Sequence, residues 1–234
     1  MAKIDLKNTL ASPIELLPQK PILFTPALIS ALFGLIVYAA IPVNYAFFGW
    51  SIFLVNLLQW LVSTIMTGWM VSMMMEIKEK GNTNYQSSWE IVNKVIVQLI
   101  IVGILVSILV AIGTLLLIIP GIILAVTFCA ASPAVVKKGL SVTEALKESK
   151  NFVYDQKNFW NILVIMIISF LIVMIPVIGG LISSFLITFW IAYAYLYYEG
   201  EVLAGEKSSE SPKEPEKPES PEKKDNNDSP ESLK

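Results

Sequence analysis

The chain has 234 residues, of which 55% are hydrophobic; it carries 17 basic and 19 acidic residues and no histidine. That apolar share exceeds the roughly 45–50% usual in soluble domains, and the missing histidine excludes histidine-based metal or acid–base chemistry. The net charge of −2 hides an uneven placement, because no charge occurs from Pro21 to Met75, from Val95 to Val136, or from Asn158 to Tyr198.

A hydrocarbon core of about 30 Å takes about 20 apolar residues per helix. Each uncharged block is about twice that length, so each is expected to fold back once. The expected fold class is therefore all-α: a polytopic membrane protein with six transmembrane helices in three hairpins, short cytoplasmic amphipathic helices and a disordered C-terminal tail.

Residues 1–20 form a cytoplasmic lead. Ser12-Pro13-Ile14-Glu15 has the S-x-x-E pattern of a capping box, which predicts a short surface helix from Pro13 to about Pro18. The run from Pro21 to Ile41 is too long for the apolar region of a cleavable signal peptide and reads as the first span. The membrane domain covers 21–198, with spans at about 21–41, 50–75, 95–119, 121–136, 159–175 and 177–198. Ser87-Ser88-Trp89-Glu90 is a second capping pattern, and its helix is expected to run on into the third span. Pro120-Gly121 breaks the next apolar run, since proline cannot continue the hydrogen-bond ladder. Ser141 and Glu144 form the third capping pattern. Val142, Ala145, Leu146 and Phe152 lie opposite Lys147, Glu148 and Lys150, the pattern of an amphipathic surface helix. Span six ends in Phe189, Trp190, Tyr193, Tyr195, Tyr197 and Tyr198, residues that favour the headgroup level. From Glu199 to 234 the composition turns to Pro, Glu, Lys and Ser, with six lysines against eleven acids, net −5. Such a segment cannot bury a core and is expected to be disordered.

All the basic residues are lysines. They fall in the lead, in Lys78 to Lys94, in Lys137 to Lys157 and in the tail. Six spans place those four segments on one side, so the positive-inside rule predicts a multi-pass protein of the cell membrane with both termini cytoplasmic. The opposite turns share a dipeptide, Ile41-Pro42, Ile119-Pro120 and Ile175-Pro176. Together with the three capping patterns they suggest a repeated unit of surface helix, span, Ile-Pro turn and returning span. Small residues at i, i+4 recur on the returning spans: Thr64, Gly68 and Ser72; Gly121, Ala125 and Cys129; Ser184, Thr188 and Ala192. Such stripes allow close helix approach in lipid, so spans two, four and six are expected to pack centrally.

No enzyme signature is present: there is no G-x-S-x-G, P-loop, H-E-x-x-H or CxxC, and no paired intramembrane carboxylates. Cys129 reads as a small buried hydrophobe. No catalytic, cofactor-binding or metal-binding residue is proposed, and no nucleic-acid partner. Two weaker candidates remain. Asn56, Gln59, Ser63 and Thr67 share one helix face and form a candidate polar lining for a neutral solute or lipid; the same pattern also arises from hydrogen bonding between helices. Lys137, Lys138, Lys147 and Lys150 are candidate contacts to lipid headgroups. The function expected is a non-enzymatic integral membrane protein that organises the bilayer or partner proteins, with the tail as a partner tether. The alternative is a facilitator for a neutral small solute or lipid. The oligomeric state is left open.

Ile118-Ile119-Pro120-Gly121-Ile122-Ile123-Leu124-Ala125, Pro133-Ala134-Val135-Val136, Ser141, Glu144-Ala145-Leu146-Lys147-Glu148-Ser149 and Phe159-Trp160 resemble a broad family of bacterial and archaeal polytopic membrane proteins. That family includes the membrane domain attached to some glycerophosphoryl diester phosphodiesterases. The resemblance implies a membrane architecture and no reaction, since the phosphodiesterase's soluble catalytic domain has no counterpart in these residues. Lys137-Lys138 stand where that family carries an arginine or an acidic residue.

Overall fold

In this computed structural model, residues 4–40, 48–175 and 179–209 are described. They form α1 (Leu6–Gln19), a 3-10 turn (Pro21–Phe24), α2 (Thr25–Ala40), α3 (Phe48–Lys80), α4 (Tyr85–Leu116), α5 (Ile118–Phe128), α6 (Ala131–Lys138), α7 (Val142–Tyr154), α8 (Phe159–Val173) and α9 (Gly179–Ser209). There is no strand among the described residues. Phe53–Lys80, Tyr85–Leu116 and Ile118–Lys138 are each long and apolar enough to cross a bilayer. The count rises to five if two bent pairs each serve as one span: α1 turns into the following helix at 110° and α7 into α8 at 98°.

α1 starts earlier than its capping pattern predicted. Asp5 is the cap, accepting from the amides of Lys7 at 3.0 Å and Asn8 at 3.3 Å. Ser12 is instead buried in mid-helix. Pro13 has no N–H for the carbonyl of Thr9, four residues back, and the Ser12 hydroxyl donates to that carbonyl at 2.7 Å. The second pattern is corrected in the same way. Asn84 caps α4 through the amide of Gln86 at 3.1 Å, and Ser87 and Ser88 fall inside the first turn. The third holds: Ser141 caps α7, and both its N–H and its hydroxyl donate to Glu144, at 3.0 and 2.6 Å.

The turn between α4 and α5 is at Leu117, not at Pro120-Gly121. Pro120 sits in the first turn of α5, where a helix N–H has no intrahelical partner and proline costs nothing. Gly121 does the close work. A Cβ there would lie 2.1 Å from Oγ1 and 2.8 Å from Cα of Thr114, so the α4–α5 hairpin closes only around a residue without a side chain. The other two Ile-Pro turns, at Pro42 and Pro176, lie outside the described residues. The short fourth span is itself broken: α5 ends at Phe128, and α6 resumes at Ala131.

The buried core gathers at the lysine-bearing end of the bundle. It includes Met70, Val71, Met73 and Met74 of α3, Ala130, Ala131 and Ala134 to Val136 around α6, Phe152 and Val153 of α7, and Phe189, Trp190, Ala192 and Ala194 to Leu196 of α9. At the opposite end, Leu115 to Ile119 are between 68% and 89% exposed. Five adjacent bare aliphatic side chains would be an aggregation site in water and are at home in hydrocarbon. α3, α6 and α9 do meet one another. The small-residue stripes are used differently, however: Gly68 lies under Leu99 of α4, Gly121 against Thr114 of α4, and Ser184 is exposed.

Two further expectations are revised. The amphipathic face of α7 is not a membrane-facing surface. Ala145, Ser149, Phe152 and Val153 are buried in the chain's own core, with Val142 and Leu146 packed beside them. The span-six aromatic cluster is likewise a packing element. Tyr195 is buried edge-on to Phe152, with ring centres 5.3 Å apart, and Tyr193 stacks on Tyr197 at 4.2 Å. Trp190 Nε1 donates to the Leu10 carbonyl at 3.4 Å, which ties α1 to α9. Finally, α9 does not stop at Tyr198 but continues through Ser209. Residues 210–234 lie outside the described part of the chain.

Candidate functional site

Three buried polar junctions hold the lysine-bearing end together. The first is the break in the fourth span. The end of α5 leaves the Thr127 carbonyl without an intrahelical donor, and the start of α6 leaves the Ala130 N–H without an acceptor. Ser149, fully buried on α7, serves both: its hydroxyl donates to Thr127 O at 2.8 Å and accepts from Ala130 N at 3.1 Å. One side chain from the amphipathic helix thus splints a gap in the apolar layer.

The second junction is the right-angled corner between α7 and α8. Lys157 takes a left-handed backbone angle, φ 56°, which lets the chain turn. Asn158, fully buried, donates through Nδ2 to Phe152 O at 3.1 Å and accepts from the N–H of Ile4 at 3.0 Å. Asn161 Nδ2 returns a bond to Ile4 O at 2.9 Å. The N-terminal lead is therefore pinned to the α7–α8 corner.

The third junction is the α3–α4 corner. Glu76 is 2% exposed, yet it is the first charge after the long neutral run. Its carboxylate accepts from Thr83 Oγ1 at 2.8 Å and Ser88 Oγ at 2.9 Å, and Lys80 Nζ lies 3.4 Å away. Ser72 Oγ donates to Ser88 O at 3.0 Å across the same corner. Nearby, Lys78 donates to the Leu196 carbonyl of α9 and stands 4.9 Å from the centre of the Tyr197 ring. A buried carboxylate supplied with hydroxyl donors and a cation is a satisfied structural group.

The predicted polar lining does not converge on one cavity. Asn56 and Ser63 are exposed on the outer face of α3. Gln59 turns toward α2, where its Nε2 donates to Ser30 O at 3.3 Å. Thr67 alone of the four borders a cleft of about 230 Å³, which also touches Val71, Ala125, Cys129, Ser132 and Met166. The four predicted lysines are close together on α6 and α7 but differ in surroundings. Lys137 lies 5.4 Å from the centre of the Tyr195 ring, and Lys138 pairs with Glu148 at 2.8 Å. Lys147 and Lys150 are exposed on the outer face of α7.

Ser149, Asn158 and Glu76 were not singled out by sequence reasoning. A signal existed for Ser149: it follows Ala145 by four residues on the apolar face of an amphipathic helix, where a polar residue needs a partner. Glu76 and Asn158 look like ordinary interfacial polar residues until their neighbours are known. Among the described residues, no three of His, Cys, Asp and Glu lie close enough to hold a metal ion. No family model matches the chain, and neither a curated protein nor a solved structure does.

Proposed function

We propose that this chain is a non-enzymatic, multi-pass protein of the cell membrane that crosses the bilayer six times and organises lipid or partner proteins at the cytoplasmic face. Both termini are cytoplasmic in this reading. The observation that carries it is the polarity of construction along the bundle. α3, α4 and α9 are 33, 32 and 31 residues long, about 46–50 Å at 1.5 Å per residue, well beyond a core of about 30 Å. The excess, the three junctions described above and the lysines belong to one end, and at the opposite end the α4–α5 turn, Leu115 to Ile119, is bare aliphatic surface. The result is a rigid platform carried by spans, from which α9 leads the acidic tail outward. Lys147 and Lys150 supply attraction to anionic lipid, about 1 kcal/mol for each lysine near the surface.

Two measurements test this. Single cysteines placed at Thr83, Gln156 and Ser208 in a Cys129→Ala background should react with impermeant reagent only from the cytoplasmic side, and one at Asn44 only from outside. Thr83 and Ser208 reacting from opposite sides would remove the six-span topology. For the organising role, the chain lacking residues 210–234 and carrying Lys147→Glu and Lys150→Glu should lose the proteins or anionic lipids recovered with it in mild detergent. Identical recovery from both forms would sink the platform reading while leaving the topology intact.

A further inference from the structure

The cleft of about 230 Å³ beside Thr67 has a chemistry that the platform reading does not use. Its walls come from α3, α4, the α5–α6 break, α8 and α9, and no Lys, Asp or Glu lines it. Of its lining residues, Val71 and Pro133 are buried, and Val110, Met166 and Ile191 are half-buried.

The hydroxyls in and around the apolar helices differ in how they are satisfied: Ser72 and Ser183 donate to carbonyls of a neighbouring helix, at 3.0 and 2.7 Å, and Ser169 Oγ is buried away from the cleft without a partner among the described residues. Thr64, Thr114, Thr127 and Thr188 each donate to the carbonyl four residues back, at 2.6 to 2.9 Å. That is the usual way for a threonine to satisfy itself in a helix. Thr67 and Ser132 make no hydrogen bond among the described residues, and both border the cleft. An unpaired hydroxyl in apolar surroundings is costly, and here two of them sit around one small space. Each has a proton to donate, and an ester carbonyl oxygen has two lone pairs to receive them.

We infer that the cleft binds an uncharged lipid of the diacylglycerol class, with acyl chain against the aliphatic walls and an ester carbonyl accepting from Thr67 and Ser132. The inference rests on the membrane reading above. In a bilayer, a hydrocarbon-lined opening is filled by lipid chains. A phosphate or ammonium group would meet no opposite charge in the cleft, so the ligand is neutral.

The test uses the full chain reconstituted in phosphatidylethanolamine–phosphatidylglycerol vesicles containing a photoactivatable diacylglycerol. Crosslinks should map to peptides spanning Thr67–Val71 and Ala125–Pro133, and unlabelled diacylglycerol should suppress them where phosphatidic acid does not. Thr67→Val with Ser132→Ala should lower the labelling about tenfold, as expected for two neutral hydrogen bonds, without changing the thermal midpoint. Ala125→Met, which fills the cleft and leaves both hydroxyls, should lower it equally and serves if the double variant fails to fold. Labelling spread over outer positions such as Leu32 and Phe170, labelling unaltered in a folded variant, or equal competition by phosphatidic acid would each overturn the assignment. Flotation with the vesicles separates the two ideas: a chain that does not float fails the membrane reading, and one that floats without specific labelling fails only the cleft.

Discussion

Ser149→Ala isolates the splint in the fourth span. The substitution removes one oxygen from a fully buried site and leaves the surrounding carbon framework in place. Two backbone groups then lose their partner, the Thr127 carbonyl now bonded at 2.8 Å and the Ala130 N–H at 3.1 Å. Each buried group left unpaired costs about 1–3 kcal/mol. Allowing the break to relax enough to re-pair one of them in part, the loss is about 2–4 kcal/mol. That is roughly a 30- to 900-fold fall in the folded-to-unfolded ratio. Reversible unfolding in mixed micelles, followed by circular dichroism, reads the total, and hydrogen exchange at the Ala130 amide reads the local effect. Ser149→Cys, with a weaker donor, should fall between wild type and alanine. Ser63→Ala, at an exposed serine on α3, should stay within about 0.5 kcal/mol. If Ser149→Ala behaves like Ser63→Ala and Ala130 exchange is unchanged, α7 does not hold the break together.

Gly121→Ala should destabilise by about 1–3 kcal/mol through overpacking, because the new Cβ meets Thr114 backbone and side chain; Gly180→Ala, facing open space, should be near neutral in the same assay. Ser12→Ala should cost about 1 kcal/mol, and much less in a Pro13→Ala background, where the alanine N–H takes over the Thr9 carbonyl; equal costs in both backgrounds would refute that pairing. The Ser141 hydroxyl and then its N–H hold the exposed Glu144 carboxyl below its ordinary value. A depressed folded-state value means that its contribution is fully present above the unfolded value and fades as pH falls through the folded one. The stability difference between wild type and Glu144→Gln should therefore be flat through neutral pH and shrink under acid, and a difference that grows under acid would contradict the capping geometry.

Features governed by near neighbours in the chain, or by totals over a long stretch, could be read from the sequence. The long uncharged blocks and the lysines between them marked apolar helices with one charged side, because burying charge in hydrocarbon is costly at any position. The Ser141–Glu144 box was legible because all its atoms lie within one helical turn. The same S-x-x-E spelling failed at Ser12 and Ser87. Asp5 and Asn84 cap those helices further upstream, and the pattern does not record which of two competing caps prevails.

Tertiary structure decided what each face is buried against. Periodicity showed that α7 has an apolar side, and that side met the chain's own α5–α6 break, whose exposed backbone groups need Ser149. Thr67 belonged to a polar helix face by spacing, but only the positions of α5, α6, α8 and α9 separate it from Asn56, Gln59 and Ser63. Asn158 pairs with Ile4, 154 residues away. Composition and hydropathy set the solvent each residue prefers, because transfer energies belong to the residue alone. Hydrogen-bond pairing needs two groups within about 3 Å, and only the folded chain decides which two those are.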